Sequence, residues 1–234
     1  MIFSDAMKID IPEGSVKQIA ANGKVIWKAC NIPRAYQEVE WISAAANVGA
    51  YLKLGFAYDT GAVIRIGQWV MNDNTAYLFG AAENSGKLRC MISSPYNSNI
   101  IMYGTSRTSG TYTSIQLKYE IGALNDLTVT YKAGAWRAQN ASIKGQNTST
   151  YDILAEYTMT NELYLFAQNY NGSPRFGDER RISCFQYEDK DGNLVCDLVP
   201  CYRKSDGVVG MYDRARRLLL TNAGSGSFTK GANV

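Results

Sequence analysis

The sequence predicts an all-β protein, a jelly-roll sandwich of two antiparallel sheets preceded by a small N-terminal β-hairpin. About fourteen short segments alternate between apolar and polar residues, as half-buried strands do. Gly, Asn, Asp and Ser fill the intervals between these segments, where turns are expected. No window of about a dozen residues has the 3.6-residue apolar period of a capped helix. With 234 residues, 46% hydrophobic and 19% charged, the chain can bury a sizeable core.

The clearest local signal is the first hairpin, where residues 16–20 and 24–27 flank Asn22 and Gly23. Asn-Gly is a preferred pair for a two-residue hairpin turn, because both positions need a positive φ. The alternating pattern predicts further strands over residues 36–42, 62–70, 76–81, 88–92, 100–103, 114–119, 127–132, 153–158, 163–167, 181–187, 194–202, 208–212 and 218–220. Residues 214–220 are compatible either with one helical turn or with a strand.

A change in composition near residue 30 divides the chain into an N-terminal hairpin module, residues 1–30, and a sandwich domain, residues 31–234. An isolated hairpin is marginally stable in water, so another surface must cover its apolar side chains. That surface belongs either to the sandwich or to another chain. We favour another chain, because residues 28–33 are typical of a linker. The predicted attachment or oligomer interface consists of Ile9, Ile11, Val25, Ile26 and Trp27.

The residue inventory argues against an enzyme. The chain has no histidine, which excludes Ser-His-Asp and Cys-His activation of a nucleophile and every histidine-containing metal site. Glycosidases need two acids flanking the scissile bond. Glu38 and Glu40 share a face by spacing, but a solvent-facing strand edge is the favoured explanation for them. We therefore predict a protein without catalytic residues.

Charge and hydropathy bear on the remaining partner classes. Residues 170–217 contain nine Lys and Arg but also eight Asp and Glu, whereas nucleic-acid surfaces segregate their charge. The Arg-rich pairs therefore predict a solvated surface of mixed charge and no nucleic-acid partner. No uninterrupted apolar stretch approaches the length of a membrane helix, and the first residues lack the layout of a signal peptide.

The cysteines and acidic loops give no sign of a disulfide framework or a metal site. Five cysteines are spread along the chain without a CxxC pair, namely Cys30, Cys90, Cys184, Cys196 and Cys201. They are expected to be buried, reduced thiols in a protein that folds in a reducing cytosol. The acidic loop 189–193 lacks the spacing of an EF-hand and predicts a hairpin turn. No cofactor or metal is predicted.

Three predicted loops combine aromatic rings with amide or guanidinium groups, the pairing that sugar recognition requires. They span residues 94–99, 134–137 and 169–175. Rings can stack on the C–H faces of a sugar while Asn and Arg hydrogen-bond its hydroxyls. The predicted glycan-binding residues are Tyr96, Asn97, Trp136, Tyr170, Asn171 and Arg175. Trp27, Trp41 and Trp69 are predicted to serve packing.

Several segments carry a family resemblance. Residues 32–42 (IPRAYQEVEWI), 76–80 (AYLFG), 163–169 (LYLFAQN), 197–213 (DLVPCYRKSDGVVGMYD) and 221–231 (TNAGSGSFTKG) resemble laminin-G-like, concanavalin-A-like jelly-roll domains of Firmicutes phages and prophages. Residues 7–27 are similar to a short module that opens many phage tail and fibre proteins.

The resemblance implies a non-enzymatic virion accessory protein, a fibre, tail or capsid decoration, with a lectin-like domain that binds host-surface polysaccharide. It would be made in the host bacterial cytoplasm and displayed on the virion surface. Its hairpin would bind other virion proteins, and a homo-oligomer such as a trimer is expected. Two alternatives remain open: a purely structural cementing protein of capsid or tail, and a bacterial surface glycan-binding module. Some laminin-G-like domains hold a loop calcium, whose ligands this sequence does not identify.

Overall fold

The computed structural model describes residues 18–21, 24–28, 32–45, 49–70, 76–83, 88–96, 99–105, 112–132, 135–141, 149–151, 158–176 and 179–234. Within these ranges the chain forms 21 strands and no helix. In chain order the strands are β1 (Gln18–Ala21), β2 (Lys24–Lys28), β3 (Tyr36–Glu38), β4 (Ile42–Ala44), β5 (Leu52–Asp59), β6 (Val63–Val70), β7 (Ala76–Glu83), β8 (Leu88–Tyr96), β9 (Asn99–Thr105), β10 (Tyr112–Lys118), β11 (Leu124–Lys132), β12 (Ala135–Asn140), β13 (Ser149–Tyr151), β14 (Thr158–Leu165), β15 (Gln168–Tyr170), β16 (Ser173–Arg175), β17 (Arg180–Glu188), β18 (Leu194–Arg203), β19 (Val209–Asp213), β20 (Leu218–Thr221) and β21 (Phe228–Lys230).

Two mainly antiparallel sheets form the sandwich, and β15 pairs with β7 in parallel. Sheet I has the strand order β10-β9-β8-β7-β14-β5 and also contains β15 and β16. Sheet II has the order β13-β12-β11-β6-β17-β18-β19-β20, with β3, β4 and β21 paired to its strands. Successive strands change sheet at β4–β5, β5–β6, β6–β7, β10–β11, β13–β14 and β16–β17. The predicted jelly-roll sandwich is confirmed.

The main core lies between the sheets and follows strand alternation. Ile64 and Ile66 of β6 are almost fully buried, as is Phe185 of β17 in the same sheet. From sheet I, the Phe79 ring lies with its centroid 5.2 Å from that of Phe185, so the two sheets touch directly. In β6 and β17, burial largely alternates along the strand, as the sequence pattern predicts.

A second, smaller apolar cluster covers the outer face of β18. Val199 and Cys201 belong to it, and Ile32 is buried against them with 5% of its surface exposed. Tyr36 packs on Tyr212 with ring centroids 5.0 Å apart. Residues just after the predicted domain boundary therefore dock on the sandwich. The boundary at residue 30 itself remains a prediction.

The N-terminal hairpin is confirmed as a pairing of β1 with β2, in a two-stranded sheet of its own. Gln18 pairs with Lys28 and Ala21 with Lys24. Of the predicted interface residues, Ile9 and Ile11 lie outside the described residues. The same holds for the side chains of Val25, Ile26 and Trp27.

Several predicted strands differ from the observed ones. The predicted strand 36–42 is two strands, because β3 pairs with β18 while β4 pairs with β17 and β21. Strand β5 was not predicted; it runs unbroken through Gly55, which has a φ of 78°. The predicted strand 153–158 lies almost entirely outside the described residues. The choice left open for residues 214–220 is resolved as a turn followed by β20.

Residues 197–216 contain a polar network that joins the sheets. The carboxylate of Asp213, which is fully buried, accepts hydrogen bonds from Arg216 Nε at 2.5 Å and from three backbone amides. Those amides belong to Asp197, Ala215 and Arg216. Arg216 Nη1 in turn donates to the carbonyl oxygen of Leu54 in sheet I at 2.5 Å. Arg214 binds Asp197 through two hydrogen bonds of 2.8 and 2.9 Å. These arginines stabilise the fold, which corrects the prediction that they are simply solvated.

Candidate functional site

The β15–β16 hairpin carries three of the predicted sugar-binding residues. Asn171 and Gly172 form its two-residue turn, with φ values of 48° and 87°. Two positive φ values characterise the turn type that matches strand twist in a hairpin. The predicted loop 169–175 is mostly strand apart from this turn, because β15 extends to Tyr170 and Pro174 lies inside β16. Proline is tolerated there since β16 pairs with β15 alone among the described strands.

A buried asparagine holds the turn in place. Asn169 is 3% exposed, and its Nδ2 donates to the carbonyl oxygen of Glu162 in β14 at 2.8 Å. Its Oδ1 accepts a hydrogen bond from the amide of Gly172 at 2.9 Å. On the other side, the amide of Asn171 donates to the carbonyl oxygen of Ala82 in β7 at 3.0 Å. The turn is therefore fixed to both neighbouring strands.

The surroundings of the hairpin are also held by a carboxylate. Glu83, at the end of β7, is 8% exposed. Its Oε1 accepts hydrogen bonds from the Thr160 amide at 2.6 Å, from the Thr160 hydroxyl at 3.1 Å and from the Asn161 amide. The side-chain amide of Asn161 donates to Ala82. The Glu83 carboxylate thus joins β7 to β14, and the hairpin rests on a rigid support. Nothing in the local sequence pattern around Glu83 sets this glutamate apart.

An arginine stacks on the tyrosine of the hairpin. The Arg175 guanidinium carbon lies 3.3 Å from the ring centroid of Tyr170. Arg175 and Asn171 are exposed and Tyr170 is half-buried. The register places Arg175 opposite Gln168, so both members of the stack lie on one face. When the flat guanidinium group stacks on an aromatic ring, its N–H groups lie around its rim and can still donate hydrogen bonds to other groups.

This stack modifies the predicted chemistry. One face of the Tyr170 ring is covered by Arg175 and cannot take a sugar ring. The ring instead orients the guanidinium on the hairpin whose turn carries the exposed Asn171. The arrangement offers fixed hydrogen-bond donors for hydroxyl or carboxylate groups.

The other predicted sugar-binding residues do not join this hairpin. Tyr96 ends β8, whose Ser94 pairs with Ala76 at the beginning of β7, whereas Tyr170 pairs with Ala82 near its end. Six residue steps separate these positions, or roughly 20 Å along the strand. Trp136 lies in sheet II, paired with β11 and β13. Asn97 and the side chains of Tyr96 and Trp136 lie outside the described residues. The predicted loops 94–99 and 134–137 are largely strand, because β8 extends to Tyr96 and β12 begins at Ala135.

The predicted packing role of Trp41 is confirmed. The Arg181 guanidinium carbon lies 4.2 Å from the Trp41 ring centroid. Gly231 lies against the same ring, where an added Cβ would come within 2.8 Å of Trp41 Nε1. The side chains of Trp27 and Trp69 lie outside the described residues.

The acidic loop 189–193 is a hairpin turn, as predicted. Asp189 Oδ1 accepts hydrogen bonds from the amides of Asp191 and Asn193 at 2.9 and 2.8 Å. Asp189 Oδ2 accepts one from Asn193 Nδ2 at 3.0 Å. These hydrogen bonds, led by those from Asn193, lower the pKa of Asp189. Across the described ranges, no group of three or more Cys, Asp or Glu side chains could hold a metal ion.

The four described cysteines are free thiols, as predicted. Cys90, Cys196 and Cys201 are buried. Burial raises the pKa of the Cys201 thiol to about 12, and it also raises that of Cys196. Cys30 lies outside the described residues.

Arg180 corrects the prediction of a solvated arginine pair at positions 180 and 181. It is 2% exposed, because strand alternation in β17 places it on the inward face with Ile182. Its Nη1 donates to the Glu179 carbonyl oxygen at 2.5 Å. The alternation of the adjacent strand residues was the signal that could have identified it.

The described part of the chain contains no helix long and apolar enough to span a membrane. No family model and no curated protein matches the chain. Similar solved structures include an SAP-like pentraxin from Limulus polyphemus, at 10% identity and a TM-score of 0.46, covering 66% of this chain and 77% of that chain. Another is the CBM40 of the Ruminococcus gnavus IT-sialidase bound to α2,3-sialyllactose, at 9% identity and a TM-score of 0.47. The match covers 63% of this chain and 89% of that chain. A third is the enzymatically active domain of tailspike protein 2 from bacteriophage CBA120, at 11% identity and a TM-score of 0.41, covering 70% of this chain and 29% of that chain. Similarities this distant assign no activity to the chain.

Proposed function

We propose that this protein is a non-enzymatic virion accessory protein of a bacteriophage, a fibre, tail or capsid decoration that binds host-surface polysaccharide through the β15–β16 hairpin. The observation that carries the proposal is the Arg175 guanidinium stacked on Tyr170 at 3.3 Å, in a hairpin whose turn residue Asn171 is exposed. The turn is fixed to β7 and β14, so its donors lose little conformational entropy on binding.

The virion part of the proposal is supported by the sequence resemblance and by the separate N-terminal hairpin. In this account the hairpin attaches the protein to other virion proteins or to further copies of itself. Sugar binding at each hairpin is weak, and many copies on one particle raise the avidity. Binding needs no cofactor, and the protein acts on the virion surface after synthesis in the host cytoplasm.

The test is a glycan array of bacterial surface polysaccharides, probed with the full chain presented in multivalent form. The unmodified chain should bind a subset of the array. Arg175→Ala removes charge-assisted hydrogen bonds and should weaken binding about 10- to 100-fold. The matched control Arg34→Ala removes another exposed arginine and should bind normally.

A structural cementing role without sugar binding is the second candidate. It is favoured by the same stack, because a ring already covered by Arg175 can simply stabilise the hairpin. Absence of array binding, or binding that Arg175→Ala leaves intact, would contradict the sugar-binding hairpin and favour this candidate.

A further inference from the structure

The charge of Arg175 on the β15–β16 hairpin is not balanced by an acidic side chain. Within the described ranges this arginine has no ion pair and donates no hydrogen bond, and its guanidinium contacts only the Tyr170 ring. The surroundings of five other arginines differ, because each of these lies beside an acid: Arg65, Arg181, Arg203, Arg214 and Arg216. An exposed positive charge is therefore available on this hairpin.

The carboxylate that the strand register brings near the hairpin is turned away from this arginine. Glu83 follows Ala82, the residue of β7 that pairs with Tyr170. Its Oε1 accepts hydrogen bonds from Thr160 and Asn161 of β14, so the carboxylate is bound within the support of the hairpin. It forms no ion pair with Arg175, whose charge is left for a partner outside the described residues.

The stack also fixes the direction in which this charge is presented. With its face on the Tyr170 ring, the Arg175 guanidinium offers the N–H groups of its rim, and two of them in parallel match the two oxygens of a carboxylate. Ser173 is exposed and lies opposite Tyr170 in the register, so alternation places it on the same face as Arg175. The two Cα atoms are roughly 7 Å apart, and one sugar residue can contact both side chains.

We propose that the polysaccharide bound by this hairpin is acidic, and that a carboxylate on its repeating unit pairs with Arg175. A hydroxyl of the same sugar residue hydrogen-bonds Ser173. One carboxylate matches one guanidinium both in charge and in its pair of oxygens. This inference rests on the sugar binding proposed above, since it names the chemical class of the ligand at the same site.

The test is an array in which each bacterial polysaccharide is printed twice, once unmodified and once after carbodiimide coupling to methylamine. This reaction converts carboxylates to neutral amides and leaves neutral polysaccharides unchanged. The full chain should bind carboxylated polysaccharides, and amidation should weaken that binding at least about 10-fold, because the charge-assisted pair is lost. Arg175→Gln keeps a planar amide without the charge, so it should bind the unmodified and amidated forms equally weakly. The control Arg34→Ala should discriminate between them as the unmodified chain does.

The outcomes separate this inference from the function on which it rests. Binding of neutral or amidated polysaccharides as strong as that of carboxylated ones, and lost in Arg175→Ala, would overturn the acidic ligand while leaving the sugar-binding hairpin in place. Discrimination that persists in a folded Arg175→Gln chain would also overturn it, because another group would then recognise the carboxylate. Absence of binding to every polysaccharide would overturn both proposals.

Discussion

Two aspartate–arginine pairs with the same spacing in sequence allow a controlled test of the tail network. Asp213 pairs with Arg216 and Asp206 pairs with Arg203, each three residues apart. The Asp213 side chain is fully buried, whereas the side chains of Asp206 and Arg203 are 43% and 41% exposed. We predict that Asp213→Ala strongly destabilises the sandwich, while Asp206→Ala has little effect.

The magnitude follows from what Asp213→Ala leaves behind. Three backbone amides lose their acceptor, and Arg216 keeps its charge with 28% side-chain exposure. Removing one partner of a buried, hydrogen-bonded pair costs about 3–5 kcal/mol. For a chain of this size, 1 kcal/mol corresponds to about 2–4 °C, so the melting temperature should fall by roughly 6–20 °C. The exposed pair of Asp206 and Arg203 contributes little to stability, so Asp206→Ala should barely change the melting temperature.

The assay is thermal unfolding followed by circular dichroism, supported by urea titration of both variants and the unmodified chain. Equal melting temperatures for Asp213→Ala and the unmodified chain would refute the role assigned to this network. A fall in melting temperature of equal size in Asp206→Ala would also refute that role.

Three further predictions concern acid stability, thiols and the N-terminal segment. Burial raises the pKa of Asp213, but hydrogen bonds from Arg216 and backbone amides outweigh it and hold the pKa below the usual 3.8. A carboxyl group whose pKa is lower in the folded chain than in the unfolded chain stabilises the fold at pH values above its unfolded-state pKa. This stabilisation is lost as the pH falls through the folded-state pKa. The urea concentration at the unfolding midpoint should therefore fall when the pH is lowered below about 4, and it should fall less in Asp213→Asn. Equal acid sensitivity of Asp213→Asn and the unmodified chain would contradict this. In a thiol-reagent assay without reductant, the three buried cysteines should not react in the folded chain. All five cysteines should react after unfolding. Fewer than five reactive thiols would indicate a disulfide. A chain starting at Asn31 should melt almost normally, whereas one starting at Arg34 lacks Ile32 and should lose about 1.5–3 kcal/mol, or roughly 3–12 °C. Equal melting of the two truncated chains would show that Ile32 contributes nothing.

Much of the fold follows from local patterns in the sequence. Alternation alone identified the long strands β6, β17 and β18, since one of their faces lies in the core. Strand β5 was not predicted, although Leu52, Leu54 and Tyr58 are buried at alternate positions and their spacing could have identified it. The division between β3 and β4 depends on which strands lie beside them, and local sequence carries no information on that.

The candidate site was only partly predictable. The turn at Asn171 and Gly172 has a clear sequence signal, and a two-residue turn puts Tyr170 and Arg175 on one face. The separation of Tyr96 and Trp136 from them depends on sheet order, which non-local pairing determines. Arg180 was predicted at the surface because charged residues are seldom buried, and only its position in β17 relative to the core shows otherwise.

The most direct test of the sugar-binding account is to locate the ligand on the protein. A ¹⁵N-labelled full chain, titrated with a glycan selected on the array, would report binding through its backbone amide resonances. The account predicts that chemical-shift changes concentrate on residues 168–175 and on Ala82 and Glu83 at the end of β7, and that Arg175→Ala removes them. Shift changes centred elsewhere on the sandwich, or changes that persist in Arg175→Ala, would contradict the assignment of the hairpin as the binding site.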